Sequence, residues 1–436
     1  MTWPSTPGPT PYQHPFPNYQ LNDLHQAMDY NSAGEPLIRV ATYPGITNIS
    51  STDAFGRART AQPFTLFDSA FIGNNDGHKF DTATTGGAST SYNSYASTVS
   101  MTVGTASGDQ VIRQSYRVFP YQPGKALEIF QTFTMAQAQT NLRQRVGYFT
   151  AYNGVYLEQD GTTVNLVIRQ QTGASTYTEE RVAQSNWNGD ALDGTGASGI
   201  TLDLTKSQIF YTAIEWLGVG SVFCGFIING VYILAHQFNH ANEASSTYMQ
   251  SAQQSIRLEI TNTGTTTGAT MLQICCSVIS SGGYAPIATQ NFAGRGLTYY
   301  NMSTAGTYYN LVSLQMASDG IAYNKVVYLD ALDVLTDSNQ NLQWQAVLNP
   351  TFSAGPTWGN VTTFTQATTS NVTVSGGTVI GTGYVVNKGE PASLTGDVLK
   401  YQIGRDIAGT SDILCIAVTP DNNNVKLGGT VGFFEI

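Results

Sequence analysis

The sequence predicts an all-β protein, and three observations support this prediction. From Leu37 onward, alternating or continuous apolar runs recur, each bounded by clusters of Gly, Asn, Asp and Ser, which is the pattern of strands and turns. Patterns of helical period are nearly absent from the same region. Three dipeptides tolerate the positive φ of tight hairpin turns, namely Asn153-Gly154, Asp160-Gly161 and Asn229-Gly230. The strands are therefore expected to be antiparallel.

The composition is that of a folded chain with a neutral polar surface. Of 436 residues, 41% are hydrophobic and 11% aromatic, but only 11% are charged, against about 25% in an average protein. The net charge of −10 supplies no positive field for phosphate groups, which excludes nucleic acid as a partner. The apolar runs fall far short of the ~20 residues of a membrane-spanning helix, so no membrane association is expected.

Residues 1–40 are predicted to form an extended arm. They contain seven of the 16 prolines, which suppress both helix and ladder pairing. Four aromatic rings of this segment would otherwise be exposed: Trp3, Tyr12, Phe16 and Tyr19. The segment is either a flexible tail or an assembly arm that buries these rings on a neighbouring subunit. The second interpretation is favoured, because proline loses little conformational freedom on docking.

Residues 41–285 are predicted to form a large antiparallel β-sandwich of the jelly-roll or lectin-like kind. Turn residues separate the apolar runs at the spacing of such sandwiches. The turns at Asn153-Gly154 and Asp160-Gly161 predict a meander through 144–170, and the turn at Asn229-Gly230 predicts a hairpin through 221–238. The clearest strand-like runs are 111–119, 126–135, 144–151, 163–170, 209–217, 221–228, 231–238, 255–262 and 270–280.

Residues 286–436 are predicted to form a second, smaller β domain, with the boundary between 285 and 300. Its segment 353–383 is rich in Thr, Ser and Gly and is either a long loop or a set of strands with little charge. No repeat of 20 to 50 residues is present, which disfavours a solenoid. The strand-like runs are 308–316, 325–335, 342–348, 371–374, 397–403 and 412–418.

The cysteines indicate where the chain is made. Cys224, Cys275, Cys276 and Cys415 fit neither a disulfide framework nor paired metal ligands, so they are interpreted as reduced, mostly buried thiols. The first residues lack the basic and apolar regions of a secretory signal peptide. A reducing cytosol combined with a surface rich in Thr, Asn and Ser is typical of a virion component that is released by lysis.

Two clusters are weak candidates for metal binding. His236 and His240 are spaced for a shared metal ion, but they follow a strand, and no glutamate stands between them as in zinc hydrolases. Asp190 and Asp193 lie in a Gly-rich loop whose spacing is wrong for an EF-hand. Hydrogen-bonded loops are the favoured interpretation of both, and no cofactor is predicted.

No enzyme is predicted. A glycosidase needs two carboxyl groups about 5 to 9 Å apart, and the sequence lacks the local carboxylate pair of sandwich glucanases. Nucleophile elbows and phosphate-binding loops are absent from the sequence as well. The glutamates from which such a pair could come are Glu158, Glu179, Glu180, Glu215, Glu243 and Glu259.

One loop is a candidate glycan contact. Trp187 stands between Asn186 and Asn188 in a polar, Gly-rich stretch, where few apolar neighbours are available to bury its ring. An exposed indole with amide neighbours is suited to stacking on a sugar face. The alternative is that Trp187 belongs to the core.

Residues 105–284 resemble sandwich modules in structural proteins of tailed bacteriophages and some large algal viruses. The resemblance implies a capsid-associated or tail-associated role and supplies no catalytic residues. It rests on Tyr121-Gln122-Pro123-Gly124-Lys125, Gln144-Arg145-Val146-Gly147-Tyr148-Phe149, Gln184-Ser185-Asn186-Trp187-Asn188, residues 194–203, Glu215-Trp216-Leu217-Gly218-Val219-Gly220 and His236-Gln237-Phe238.

Together these observations predict a non-enzymatic virion structural protein of a bacteriophage, made in the host cytoplasm. Head decoration or a head fibre is the first expectation, and a tail or receptor-binding protein that recognises host glycans is the alternative. A polysaccharide-cleaving enzyme is the third expectation. Expected partners are further copies of the chain, as a trimer, and other virion proteins such as the major capsid protein.

Overall fold

The computed structural model describes residues 62–285, 288–317, 325–337, 339–385 and 401–436, together with two short paired strands, β1 (Asp29–Tyr30) and β2 (Pro36–Leu37). The predicted arm residues Trp3, Tyr12, Phe16 and Tyr19 lie outside the described residues. Within the described ranges the protein is all-β, as predicted, and the single helical turn is a 3₁₀ turn at Gln184–Asn186.

Strands β3 to β17 build a sandwich from two antiparallel sheets. Their bounds are β3 (Phe64–Ser69), β4 (Phe80–Thr85), β5 (Ser89–Asn93), β6 (Thr98–Val103), β7 (Gln110–Ser115), β8 (Leu127–Thr134), β9 (Leu142–Phe149), β10 (Gly154–Asp160), β11 (Thr163–Gln171), β12 (Tyr177–Ala183), β13 (Gln208–Ile214), β14 (Val222–Ile228), β15 (Val231–Phe238), β16 (Ile256–Asn262) and β17 (Ala269–Ser280).

The seven-stranded sheet has the order β12-β11-β10-β9-β16-β7-β4. The eight-stranded sheet has the order β15-β14-β13-β8-β17-β6-β5, with β3 also paired to β17. The predicted meander, β9 to β11, and the predicted hairpin, β14 to β15, are both present. At the hairpin turn, Asn229 and Gly230 both have positive φ (53° and 79°), as the turn type requires.

Alternation along each strand places one set of side chains between the two sheets. In β9, Val146 and Tyr148 are fully buried in the main core, so Arg145 and Phe149 lie on the opposite face of the sheet. Phe149 accordingly belongs to a separate small cluster with Tyr156 and Val167. The seven-stranded sheet is therefore polar and aromatic on its outer face and apolar on its inner face.

The C-terminal strands form three further antiparallel sheets, β18-β28-β20, β23-β24-β19-β27-β21-β26 and β22-β25. Their bounds are β18 (Thr289–Met302), β19 (Tyr309–Met316), β20 (Val327–Thr336), β21 (Leu342–Leu348), β22 (Thr351–Phe352), β23 (Gly359–Asn360), β24 (Thr365–Thr368), β25 (Val374–Ser375), β26 (Thr378–Val385), β27 (Leu414–Pro420) and β28 (Val425–Glu435). The Thr-rich segment 353–383 is thus a series of short strands with little charge rather than a long loop.

Two hydrophobic cores lie on either side of residue 285, one within the sandwich and one around Trp344. Residues 61–436 nevertheless form one compact unit, because polar contacts join the two parts. The Arg405 N–H donates to the Tyr116 carbonyl at 2.8 Å, and Gln402 Nε2 donates to the Val118 carbonyl at 2.8 Å. The predicted domain boundary stays a prediction. Of the predicted strand 397–403, residues 401–403 contribute only an isolated bridge at Gln402.

All four cysteines are free thiols, as predicted. Cys224, Cys276 and Cys415 are buried, whereas the neighbouring Cys275 is half-buried, because adjacent strand residues point to opposite faces. Burial raises the pKa of the Cys224 and Cys415 thiols to about 12, so both are protonated and unreactive near neutral pH.

Candidate functional site

A cleft of about 350 Å³ opens at one edge of the sandwich. One wall is formed by β11 and β12, where Ile168 pairs with Glu180 and Gln170 with Thr178. The other wall is the segment 240–248, which follows β15, the edge strand of the opposite sheet. The cleft therefore lies where the two sheets end and the segment after β15 spans the gap between them.

Three buried side chains form the floor of the cleft, and exposed side chains form its rim. Ile168, His240 and Tyr248 are only 3%, 6% and 6% exposed. The His240 and Tyr248 rings stack, with centroids 3.9 Å apart and planes within 8°. The exposed lining residues are Thr178, Glu180, Glu243, Ala244, Ser245, Ser246 and Thr247.

Two polar atoms of these rings, His240 Nε2 and the Tyr248 hydroxyl, lie beneath the surface of the cleft and have no hydrogen-bond partner within the described part of the chain. A buried polar group without a partner costs about 1–3 kcal/mol, so native proteins rarely keep two of them side by side. Burial raises the pKa of the Tyr248 phenol far above its usual value. The hydroxyl is therefore protonated and can donate a hydrogen bond.

The loop between β13 and β14, residues 215–221, contacts both His240 and Tyr248. His240 Nδ1 is 2.8 Å from the Gly220 carbonyl oxygen, and the Tyr248 N–H donates to the Gly218 carbonyl at 3.1 Å. A Cβ at position 220 would lie 1.6 Å from the Glu215 carbonyl oxygen, so only glycine allows this turn. Since a carbonyl oxygen only accepts, His240 Nδ1 carries a proton and donates it to the Gly220 carbonyl.

The structure places the two predicted metal-candidate histidines in different surroundings. His236 Nδ1 accepts a hydrogen bond from the Asn188 N–H at 3.2 Å, and burial lowers the pKa of His236. His240 instead stacks on Tyr248 in the cleft. Across the ranges given above, no three His, Cys, Asp or Glu side chains converge as a metal site would require.

The aspartates proposed for calcium are bound by backbone donors of their own loop. Asp190 Oδ1 accepts from the Leu192 N–H at 2.8 Å, and Oδ2 accepts from the Ser198 N–H at 2.7 Å. Burial opposes ionisation of Asp190, but these donors outweigh it and lower the pKa of the carboxyl. Asp193 accepts from the N–H and hydroxyl of Thr195. Both carboxylates therefore shape the loop.

Trp187 does not fit the predicted glycan contact. Its side chain is 6% exposed, its ring packs near Phe226 in the main core, and its Nε1 donates to the Val182 carbonyl at 3.1 Å. Asn188 forms two hydrogen bonds of 2.8 Å with the backbone of Gln237. Asn186 ends the 3₁₀ turn before Trp187. This loop thus closes the edge of the sandwich and has no exposed ring for a sugar to stack on.

The outer face of the seven-stranded sheet carries a chain of buried ion pairs. Arg145 contacts Glu158 at 2.7 Å and Glu259 at 3.1 Å, and Arg257 contacts Glu259 at 2.5 Å. Arg181 extends this set of ion pairs, because it lies 3.1 Å from Glu158. Glu179 in turn pairs with Arg169 and Arg181 and accepts a hydrogen bond from the Tyr156 hydroxyl.

These ion pairs keep their carboxylates charged. Burial raises the pKa of Glu259, but Arg257 and Arg145 outweigh it and lower the value to about 2. The pKa of Glu158 is likewise lowered by its arginines against the effect of burial. A glycosidase needs one carboxyl group that stays protonated as a general acid, and neither Glu158 nor Glu259 meets that requirement.

The same ion pairs predict acid sensitivity. Because the pKa of Glu259 falls from 4.5 to about 2 on folding, its stabilisation is complete above about pH 4.5 and is lost as the pH falls toward 2. We expect the free energy of unfolding, measured by urea titration, to drop by about 3 kcal/mol between pH 6 and pH 2 from this residue alone. A constant free energy across that range would contradict the assignment.

The six glutamates singled out in the sequence therefore separate into three groups. Glu158, Glu179 and Glu259 belong to the buried ion pairs. Glu180 and Glu243 line the cleft. Glu215 is exposed in the loop between β13 and β14. The sequence predicted His240 as a candidate metal ligand, and it did not point to Tyr248.

Comparisons with known proteins give only distant structural similarity. No protein-family model matches the chain, and no curated protein matches its sequence. The cellulose-induced protein Cip1 is 10% identical, with coverage of 49% of this chain and 96% of that one and a TM-score of 0.32. A Bacillus licheniformis beta-glucanase is 13% identical, with coverage of 49% and 97% and a TM-score of 0.32. The Emp47p carbohydrate recognition domain is 8% identical, with coverage of 53% and 99% and a TM-score of 0.33. At these TM-scores the similarities assign no activity to this chain.

In the part of the chain described by the structure, no helix is long and apolar enough to cross a membrane.

Proposed function

We propose that this chain is a non-enzymatic recognition protein that binds carbohydrate in the cleft between β11–β12 and segment 240–248. The observation that carries the proposal is the lining of this cleft of about 350 Å³, in which exposed hydroxyl and carboxylate groups surround the aliphatic side chain of Ile168. A ligand hydroxyl both donates and accepts, so a polyhydroxylated ligand can pair with several of these groups together.

The rest of the lining supports a sugar over an apolar ligand. Hydroxyl groups of Thr178, Ser245 and Ser246 and the carboxylates of Glu180 and Glu243 surround the opening, and Ile168 is the main apolar contact. A small apolar patch within a ring of polar groups suits a sugar ring, which has C–H faces and a hydroxylated rim. A cleft for an apolar molecule would be lined mostly by hydrophobic side chains.

The lining can be tested with one hydroxyl deletion. We expect wild-type protein to bind members of an array of neutral, amino and acidic oligosaccharides, and Thr178→Val to bind the tightest of them about threefold to tenfold more weakly in titration calorimetry. The reason is that a ligand hydroxyl paired with the exposed Thr178 hydroxyl loses a hydrogen bond, which contributes about 0.5–1.5 kcal/mol. Thr90→Val is the matched control, because Thr90 is exposed on β5, outside the cleft.

Unchanged affinity in Thr178→Val would contradict this placement of the ligand. A reducing-sugar assay on the bound oligosaccharide tests the non-enzymatic part of the proposal. Release of reducing ends would favour the third expectation, a polysaccharide-cleaving enzyme.

We propose further that the chain acts as a virion component, in which the cleft serves attachment to a host surface. The segment that resembles phage and algal-virus modules, 105–284, contains strands β7 to β17 and includes the whole cleft. A labelled copy of the chain, imaged on purified particles, tests this role and distinguishes head from tail. Particles without the label would contradict it.

A further inference from the structure

The outer face of the eight-stranded sheet is apolar where β8, β13, β14 and β15 lie side by side. Ile129, Phe210 and Phe226 point into the main core and are almost fully buried, so their sequence neighbours point outward. Tyr232 is 46% exposed and Ile209 is 37% exposed. The large outward side chains are Phe130, Ile209, Tyr211, Phe223, Ile227 and Tyr232.

The register of the strands makes these side chains one continuous surface. Phe130 pairs across the sheet with Tyr211, and Ile227 pairs with Tyr232. The Tyr232 ring lies 5.2 Å from the Tyr211 ring and 6.4 Å from the Phe130 ring, edge to face in both cases. The Tyr211 ring also lies against Gly225, where a Cβ would be 2.7 Å from Cε1 of the ring. The three rings therefore form an aromatic cluster beside Gly225.

The two sheets of the sandwich present different chemistry on their outer faces. The seven-stranded sheet carries the arginine–glutamate ion pairs, whereas Glu128 is the only Asp, Glu, Lys or Arg in β8, β13, β14 and β15. An antiparallel sheet with one face on the core normally presents polar side chains on the other. A continuous apolar surface in that position marks an interaction site, and its low charge favours a neutral partner.

The chain itself contains a segment of matching chemistry. Residues 1–22 include six prolines and four aromatic residues but no Asp, Glu, Lys or Arg. Proline-rich segments bind aromatic-lined surfaces, because the fixed φ of proline reduces the entropy that is lost on binding. Residues 38–61 separate β2 from the described sandwich, and a fully extended chain of that length spans about 80 Å. This length is sufficient to reach a neighbouring copy.

We propose that the outer face of the eight-stranded sheet binds residues 1–22 of a second copy of the chain. The proline and aromatic side chains of that segment cover Phe130, Tyr211 and Tyr232 of the neighbouring copy. Because the segment and the face are different surfaces of one chain, the contact is heterologous, and it closes into a ring when the rotation between copies permits. The proposal is independent of carbohydrate binding in the cleft.

Sedimentation velocity of the full chain at micromolar concentration tests the proposal with two variants. Ile209→Lys/Ile227→Lys places two charges on the face, and Tyr12→Ala/Phe16→Ala removes two rings from the segment. We expect the wild type to associate and each variant alone to associate at least tenfold more weakly. An equimolar mixture of the two variants should form a complex, because one variant supplies an intact segment and the other an intact face.

A control variant makes the same change of residue type elsewhere. Ile72→Lys/Val379→Lys alters two exposed positions outside the face and should associate like the wild type. Urea unfolding shows that the face variant is folded, and the segment variant tests the proposal even if it is not, because Tyr12 and Phe16 precede the sandwich in the sequence.

Three results would overturn the proposal. A monomeric wild type would show that no second copy binds. Wild-type association of the segment variant would show that the copies meet through other surfaces. Failure of the two folded variants to form a complex with each other would show that the segment of one copy does not bind the face of another.

Discussion

Replacing Glu259 by Gln is expected to destabilise the protein by about 3–5 kcal/mol, the usual cost of removing one partner from a buried ion pair. Glu259 is 4% exposed, and its two carboxylate oxygens contact Arg257 and Arg145 at 2.5 and 3.1 Å. After the substitution Arg145 keeps Glu158, but Arg257 keeps only neutral acceptors, such as Oε1 of Gln114. The cost arises from a buried cation without a counter-charge.

The measurement is urea unfolding at pH 7 for Glu259→Gln and for Glu215→Gln. The second variant makes the same chemical change at an exposed position and should alter the free energy of unfolding by less than about 0.5 kcal/mol. The double variant Arg257→Gln/Glu259→Gln should be more stable than Glu259→Gln alone, because it leaves no unpaired cation. Similar stability of Glu259→Gln and Glu215→Gln would show that the ion pairs contribute little.

A charge pattern in the sequence could have predicted these buried ion pairs. Arg145 is the single charge in the run 144–151, and Arg257 and Glu259 are the only charges in the run 255–262. A charge in such a run is rarely buried without a partner. Sequence analysis weighed the glutamates as catalytic candidates and did not pair them with arginines. The pairing depends on the register between β9, β10 and β16, which the local pattern does not specify.

The fold was predictable wherever strands are apolar and joined by tight turns. The meander from β9 to β11 and the hairpin from β14 to β15 follow from period-two alternation and from the Asn, Asp and Gly residues at the turns between the strands. Strands β3 to β6 were missed because they are short and rich in Thr and Ser, so they resemble loops. Strand β4 pairs with β7, and β3 and β6 pair with β17, which is distant in sequence, while β5 pairs with the adjacent β6.

Strand β28 was missed for a different reason. It contains Gly428, Gly429 and Gly432, and glycine disfavours strand interiors. Pairing with β18 on one side and β20 on the other determines its conformation. At Gly429, with a φ of 136°, a Cβ would lie 2.0 Å from the Asp333 carbonyl oxygen, so close packing of the backbones requires glycine there.

The candidate site was only partly predictable. His240 was conspicuous because histidine is rare in this chain, with five in all. Tyr248 and Glu180 were not connected to it, since the cleft forms only when β11 and β12 meet the segment after β15. Trp187 seemed exposed because its sequence neighbours are polar, yet Phe226, which packs near its ring, is 39 positions away in sequence.

Replacing Arg113 by Ala is expected to destabilise the sandwich by about 3–5 kcal/mol, as for other buried ionic groups. Arg113 is 2% exposed and points between the two sheets. Its Nε donates to Gln273 Oε1 at 2.6 Å and its Nη1 to Thr82 Oγ1 at 2.9 Å. Its guanidinium lies 5.4 Å from the Phe71 ring and 4.8 Å from the Phe80 ring. Burial lowers the pKa of Arg113 to about 10, so the side chain is still charged at pH 7.

Two further variants separate the lost volume from the lost hydrogen bonds. Arg113→Met fills most of the space but leaves Gln273 Oε1 without its donor, and we expect it to remain about 1–3 kcal/mol less stable than wild type. Arg113→Met/Gln273→Leu removes both polar partners and should recover much of that loss, because apolar replacement of a buried polar pair is often neutral. Lys206→Met, at an exposed position, is the control for a change of charge alone. If the double variant is no more stable than Arg113→Met, the cost comes from the aromatic contacts of the guanidinium, and the hydrogen bond to Gln273 contributes little to the stability of the sandwich.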